Sequence, residues 1–236
     1  LIRSRGLGDV YKRQPFGNKS MAIVVRGATC SLGEAVVDKL LMMDVDVIAS
    51  EESHLLRNRS LLDCSTVNLQ SSGEGYSISF DGSSADLEIG NHILIHDLIP
   101  TRQDKWMPNE IVEWSNHNEV ESAPRYWLSA IDAANAIAHI ARSEKVVTRI
   151  HMCGRREWLP EDSRAEFNML WSRTNQGLSG KFTAETLFGH EIAGMVAKPV
   201  TGAQNDRPDL EPLHELLLDI TGDGWRPLIP FRTAMM

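Results

Sequence analysis

Apolar and polar positions along this chain switch repeatedly between a period of two and a period near 3.6. An apolar run over 22–26 (Ala22, Ile23, Val24, Val25, closed by Arg26) predicts a strand. Gly27, Ala28, Thr29, Cys30 and Ser31 interrupt it. Leu32, Val36, Leu40 and Met43 then recur at helical spacing, widened by Val37 and Leu41, and predict a helix over 31–43. A second strand is expected over 45–50 and a short helix near 60–68. A Ser/Gly loop follows over 71–75, then an alternating strand over 76–80 that leads to Asp81. Residues 84–89 read as one or two helical turns, and 92–96 as a buried-type fourth strand. After a loop over 101–108 come a short helix over 109–116, an extended piece over 125–128, a helix over 130–143 and a strand over 146–153. Pro160, Glu161 and Asp162 mark a helix start. Further helices are expected over 183–197 and 209–220, then a Gly/Pro/Trp loop over 222–231. Strands alternating with helices predict an α/β fold: a Rossmann-like parallel sheet with flanking helices and a central first strand, plus a small, mostly helical C-terminal lobe.

The first strand, turn and helix also carry chemistry. A helix that opens on a glycine turn presents unpaired N–H groups and the positive end of its dipole to an anion. A dinucleotide pyrophosphate is the usual occupant of such a turn. Glu51 lies 18 positions after Gly33, at the end of the second strand. An acid there binds the ribose of a dinucleotide, and its charge favours NAD over NADP. The alternative is a solvated pair of acids, Glu51 and Glu52. His92 and His96 would share one face of the fourth strand, but no third metal ligand is evident, so His96 is read as lining a cofactor crevice. His190-Glu191 begins like a zinc-protease motif, yet Gly194 stands where the second histidine is required.

Composition sharpens this picture in two places. With 42% hydrophobic and 24% charged residues the chain is an ordinary globular sequence, and it has no membrane-length apolar run. The three cysteines, Cys30, Cys64 and Cys153, form no C-x-x-C pair, which fits a reducing cytoplasmic setting. Residues 1–14 are basic and without period, and 4–14 can be back-translated into a sequencing-library adapter. The expectation is a non-native or disordered leader over 1–20, with Met21 as the natural start. The alternative is a basic arm that binds nucleic acid. The formal net charge is −8, and the leader holds five basic residues against the single acid Asp9. The remainder is therefore more acidic still, a poor match for nucleic acid or an anionic membrane.

Five pieces, in order, carry a family resemblance. Val24–Gly33 resembles the opening V-T-G-A-T-G-F-L-G of the extended short-chain dehydrogenase/reductases of the NAD-dependent epimerase/dehydratase type. Ile95-His96 resembles their fourth-strand I-H-L-A-A, 128–134 their V-x-V-D-D-V-A, 150–154 their Y-N-I-G-G, and 224–227 their G-W-x-P. The resemblance implies a dinucleotide-binding domain over 21–156 and a substrate lobe over 157–236. It also implies NAD held by Gly27, Thr29, Cys30, Ser31, Leu32, Gly33, Glu51, Asp81 and His96. A nucleotide-sugar or other small carbonyl substrate is implied too, and the pattern is compatible with a homodimer.

Three departures qualify this. Cys30 replaces the middle glycine of the turn, where a side chain reduces room for the pyrophosphate. The stretch between His96 and Asp132 is far shorter than in the family, so the sheet is expected to be reduced in its middle. The family's acid/base engine, a Tyr with a Lys four residues on, is missing: Tyr11, Tyr76 and Tyr126 are followed at that spacing by Pro15, Phe80 and Ala130. An active enzyme would therefore need Tyr126, His96 or His151 as a substitute. A cofactor binder without turnover is the reading the missing pair favours. A relic that binds no cofactor is the third.

Overall fold

The structure, a computed structural model, describes residues 22–178 and 207–236. The leader and the helix expected over 183–197 lie outside them. Five parallel strands form the main sheet in the order β3-β2-β1-β4-β5: β1 (Ile23–Arg26), β2 (Val47–Ile48), β3 (Leu69–Gln70), β4 (Tyr76–Ser79) and β5 (Leu87–Glu88). β1 is central, as the sequence predicts. It pairs with β2 through Ile23↔Val47 and with β4 through Ile23↔Tyr76. Helix α1 (Ser31–Met42) crosses from β1 to β2, and α2 (Glu52–Cys64) from β2 to β3.

The return from β3 to β4 has no helix. The loop over 71–75 has to pass β2 and β1 closely. A Cβ on Gly73 would lie 2.6 Å from the Ile48 side chain, and one on Gly75 only 1.8 Å from the Ala22 carbonyl. The Ser/Gly composition that marks this stretch as a loop is thus also what lets it fit.

Two small parallel ladders extend the architecture. β6 (Ile93–Ile95) pairs with β9 (Ile150–Met152), and β7 (Leu98–Ile99) with β8 (Leu128–Ser129). A bridge between Ile89 and Ile93 links the first ladder to the main sheet. Between β6 and β7 the chain kinks at Asp97, whose φ of +52° is left-handed. Helix α3 (Asn109–Ser115) lies in the β7–β8 connection and α4 (Ala130–Arg142) in the β8–β9 connection. The Ser129 hydroxyl caps α4 by accepting the Ile131 N–H. Fully buried alanines (Ala130, Ala133, Ala138, Ala141) let α4 pack closely against α1.

Helix α5 (Pro160–Leu178) starts at the predicted proline. Helices α6 (Glu211–Thr221) and α7 (Phe231–Ala234) complete the described chain. Leu213, Leu217 and Trp225 share one core with β1, α1 and α4. A second cluster joins Ile99, Trp114, Trp127, Phe167 and Phe231. The buried Asp132 ties the tail to α4: its two oxygens accept the N–H groups of Leu228 and Ile229 at 3.1 and 2.9 Å.

The structure corrects several boundaries. Residues 84–89 are not helical. Strand pairing takes this segment instead, with Leu87 fully buried opposite Ile78 in the ladder. Helix α2 runs over 52–64 rather than 60–68. Its buried positions are His54 and Asn58, an i,i+4 polar pair that a search for apolar periodicity passes over. The strand expected over 146–153 is confined to 150–152, with Val146 left 92% exposed.

Candidate functional site

The turn after β1 is built as its glycines require. Gly27 has φ +65°, and a Cβ there would fall 2.6 Å from the Asp81 Cβ at the end of β4. A Cβ on Gly33 would lie 2.7 Å from the Ala28 Cα, so α1 rests directly on the turn. Cys30 occupies the N-cap position of α1 without a capping side-chain hydrogen bond, and its side chain is buried in the core with Leu32. Thr29 is exposed. The backbone amide that opens the helix belongs to Ser31.

That amide already has an anionic partner. Ser31 N–H donates to Asp104 Oδ2 at 2.6 Å. Asp104 sits in the loop over 101–107, and its other oxygen accepts the Trp106 N–H at 2.9 Å. Burial alone would raise the Asp104 carboxyl; the hydrogen bonds from Ser31 and Trp106 and the charge of Arg102 outweigh it and leave the carboxyl below its usual range. Arg102 donates to the Thr29 carbonyl at 2.8 Å and pairs with Glu34 at 2.7 Å. Lys105 Nζ donates to the Phe80 carbonyl at 2.8 Å. One loop therefore spans the ends of β1 and β4.

Glu51 stands at the N-cap of α2, just past the end of β2. Its Oε2 lies 3.5 Å from Nε2 of His54, a side chain with no exposure. Glu51 Oε2 and both His54 ring nitrogens are buried with no hydrogen-bond partner. Asp81 accepts the Ser83 N–H at 2.9 Å and the Ser79 hydroxyl at 3.0 Å. Ser83, through side chain and N–H, and then Ser79 bring its carboxyl down from 3.8 to about 2. A depressed carboxyl stabilises the fold above its unfolded value and loses that contribution as pH falls through the folded one. The part of the difference in unfolding midpoint between wild type and Asp81→Ala that comes from this charge is therefore expected to be constant above about pH 5 and to be lost progressively toward about pH 1, as a pH series of thermal melts would show.

The three substitute acid/base candidates lie around the β6–β9 ladder. His96 Nε2 and His151 Nδ1 are 2.9 Å apart, with the rings stacked at 5.1 Å between centroids. Burial, then the neighbouring His151, lowers the His96 pKa, against a smaller opposite effect of Asp97. The Tyr126 N–H donates to Asp97 Oδ2 at 2.7 Å, and the Arg207 guanidinium lies over the Tyr126 ring at 5.7 Å. Cys153 ends the same ladder, its thiol pushed up to about 12 by burial and by Asp97. Arg125 bridges Asp97 and Glu110. His92 points its chemistry elsewhere: its Nδ1 accepts the Glu88 N–H at 3.1 Å. Among the described residues no three His, Cys, Asp or Glu side chains gather as a metal ion needs.

Sequence reasoning missed Arg102, Asp104, Lys105 and His54. The sequence marks 101–108 only as a loop. Three charges and a tryptophan within five residues (102–106) were the available signal.

No family model matches the chain, and no curated protein matches it. Among solved structures the chain is similar to the Bordetella bronchiseptica enzyme WbmF in complex with NAD+ and UDP. The two share 9% sequence identity at a TM-score of 0.45, over 92% of this chain and 90% of that one. Among the described residues no helix is long and apolar enough to cross a membrane.

Proposed function

We propose that this chain binds NAD at the Gly27–Gly33 turn and does not turn it over by the Tyr–Lys chemistry of the family it resembles. The observation that carries the reading is the carboxylate already bound to the Ser31 amide, which supports an anion site at the start of α1, at the centre of a parallel sheet. Two further features fit a dinucleotide. Gly27 and Gly33 leave no room for a Cβ beneath the turn. The unpartnered polar atoms of Glu51 and His54 lie past the end of β2, where a ribose hydroxyl would satisfy a carboxylate. The Ser31 and Leu32 amides would hold the pyrophosphate, and Glu51 the adenosine ribose. A bound nicotinamide supplies hydride transfer, for which this chain offers no tyrosine–lysine pair.

Isothermal titration with NAD, NADH, NADP and NADPH tests the proposal. NAD is expected to bind about tenfold more tightly than NADP, with the gap narrowed in Glu51→Gln. NAD at a hundred times its Kd should add about 2.7 kcal/mol to stability. No heat and no thermal shift with any of the four at millimolar concentration, in wild type and in Asp104→Ala alike, would refute it.

One observation favours a second reading, an active enzyme on a nucleotide-linked sugar or another small carbonyl compound. The hydrogen-bonded His96–His151 pair offers two ring nitrogens in line for passing a proton. Reduction of added NAD by such a substrate, lost in His96→Ala, would establish it over the first.

A further inference from the structure

The loop over 101–107 lies where the proposed dinucleotide would lie. Its carboxylate takes the Ser31 amide at 2.6 Å, its arginine takes the Thr29 carbonyl, and its lysine reaches the Phe80 carbonyl. These contacts run from the turn after β1 to the end of β4, across the sheet's central crevice. A pyrophosphate and the Asp104 carboxylate cannot both accept from the same amide. Like charge would keep them apart even without overlap.

We propose that residues 101–107 form an autoinhibitory strap, with Asp104 standing in for the cofactor's pyrophosphate, and that dinucleotide binding requires the strap to lift. This rests on the dinucleotide reading of the Gly27–Gly33 turn. The strap is built to be displaced. It has no helix or strand of its own, and Thr101, Arg102, Gln103 and Lys105 are exposed. Arg102 is 48% exposed in its pair with Glu34, and such surface pairs contribute little. Glu34 keeps a second partner, Arg57, so it is not stranded when Arg102 leaves. Only Trp106 is packed against the main core, which places the hinge at the strap's C-terminal end. A site open only part of the time binds with its affinity reduced by the open fraction. A strap closed about ten times in eleven weakens NAD about tenfold.

The test compares wild type, Asp104→Ala, Asp104→Asn and Arg102→Ala by titration with NAD and with inorganic pyrophosphate. Hydrogen exchange of 101–107 is followed with and without NAD. Asp104→Ala is expected to bind NAD about tenfold more tightly than wild type, and Arg102→Ala more tightly as well. Asp104→Asn, which keeps an acceptor without the charge, should fall between and stands in if the alanine variant does not fold. In wild type, NAD should raise exchange across 101–107. Equal or weaker binding by the Asp104 variants, with wild type binding NAD, would overturn the strap and leave the dinucleotide site standing. Binding by the Asp104 variants alone would support it in full. No binding by any of the four proteins would overturn the dinucleotide reading, and the strap with it.

Discussion

Trp225→Ala is expected to destabilise the protein by about 3–5 kcal/mol, enough to lower the thermal midpoint by roughly 10 °C. The side chain is 4% exposed and belongs to the same core as β1 and α4. Truncation opens a cavity there that neighbouring side chains fill only in part. The indole does more than occupy space. Its Nε1–H donates to the Cys153 carbonyl at 3.0 Å, at the end of β9. With the donor gone that carbonyl stays buried and unpaired. Trp225→Phe separates the two effects. It keeps most of the packing and loses only the hydrogen bond, so its midpoint in urea should fall between those of wild type and the alanine variant. If Trp225→Ala unfolds at the wild-type urea concentration, the tail does not share the core.

Gly154→Ala is expected to cost about 3 kcal/mol, because the added methyl meets backbone rather than a side chain that can turn away. A Cβ at this position would lie 2.2 Å from the Trp127 carbonyl oxygen and 3.0 Å from that of Tyr126. Gly154 N–H donates to the Tyr126 carbonyl at 2.8 Å, so relieving the clash breaks a bond that fixes Tyr126 beside β9. The variant should therefore also change the environment of the His96–His151 pair. Its histidine proton resonances, followed through a pH titration, report that change independently of global stability.

The central β1 and the turn were legible because glycine spacing and apolar period agree over 22–43, where local rules suffice. The helix over 130–143 was legible from its apolar period alone. What sequence could not supply was register. His151 pairs opposite Leu94 in the β6–β9 ladder, and His96 lies two residues past Leu94, so the two histidines share a face. A shift of one residue would have put them on opposite faces. Asp104 illustrates a different limit. Its contact with Ser31 spans 73 residues, and a loop without period gives no hint of what it will lie against. Cys30, read as a loss of room for the ligand, is a core side chain at a helix start, because the backbone there turns it inward.

The two small ladders are nested in the chain: β7–β8 lies wholly inside β6–β9. Once the inner ladder has closed around α3, the ends of the outer one are separated only by α4 and a short connection. Loop-closure entropy for the outer ladder then depends on that shorter span and not on the whole stretch from Ile93 to Met152. The kink at Asp97 is the joint that makes this possible, since it lets one continuous segment serve both ladders. The nested arrangement thus gives a zipper that closes from the inside outward, and it reduces the effective contact order of an otherwise non-local parallel architecture.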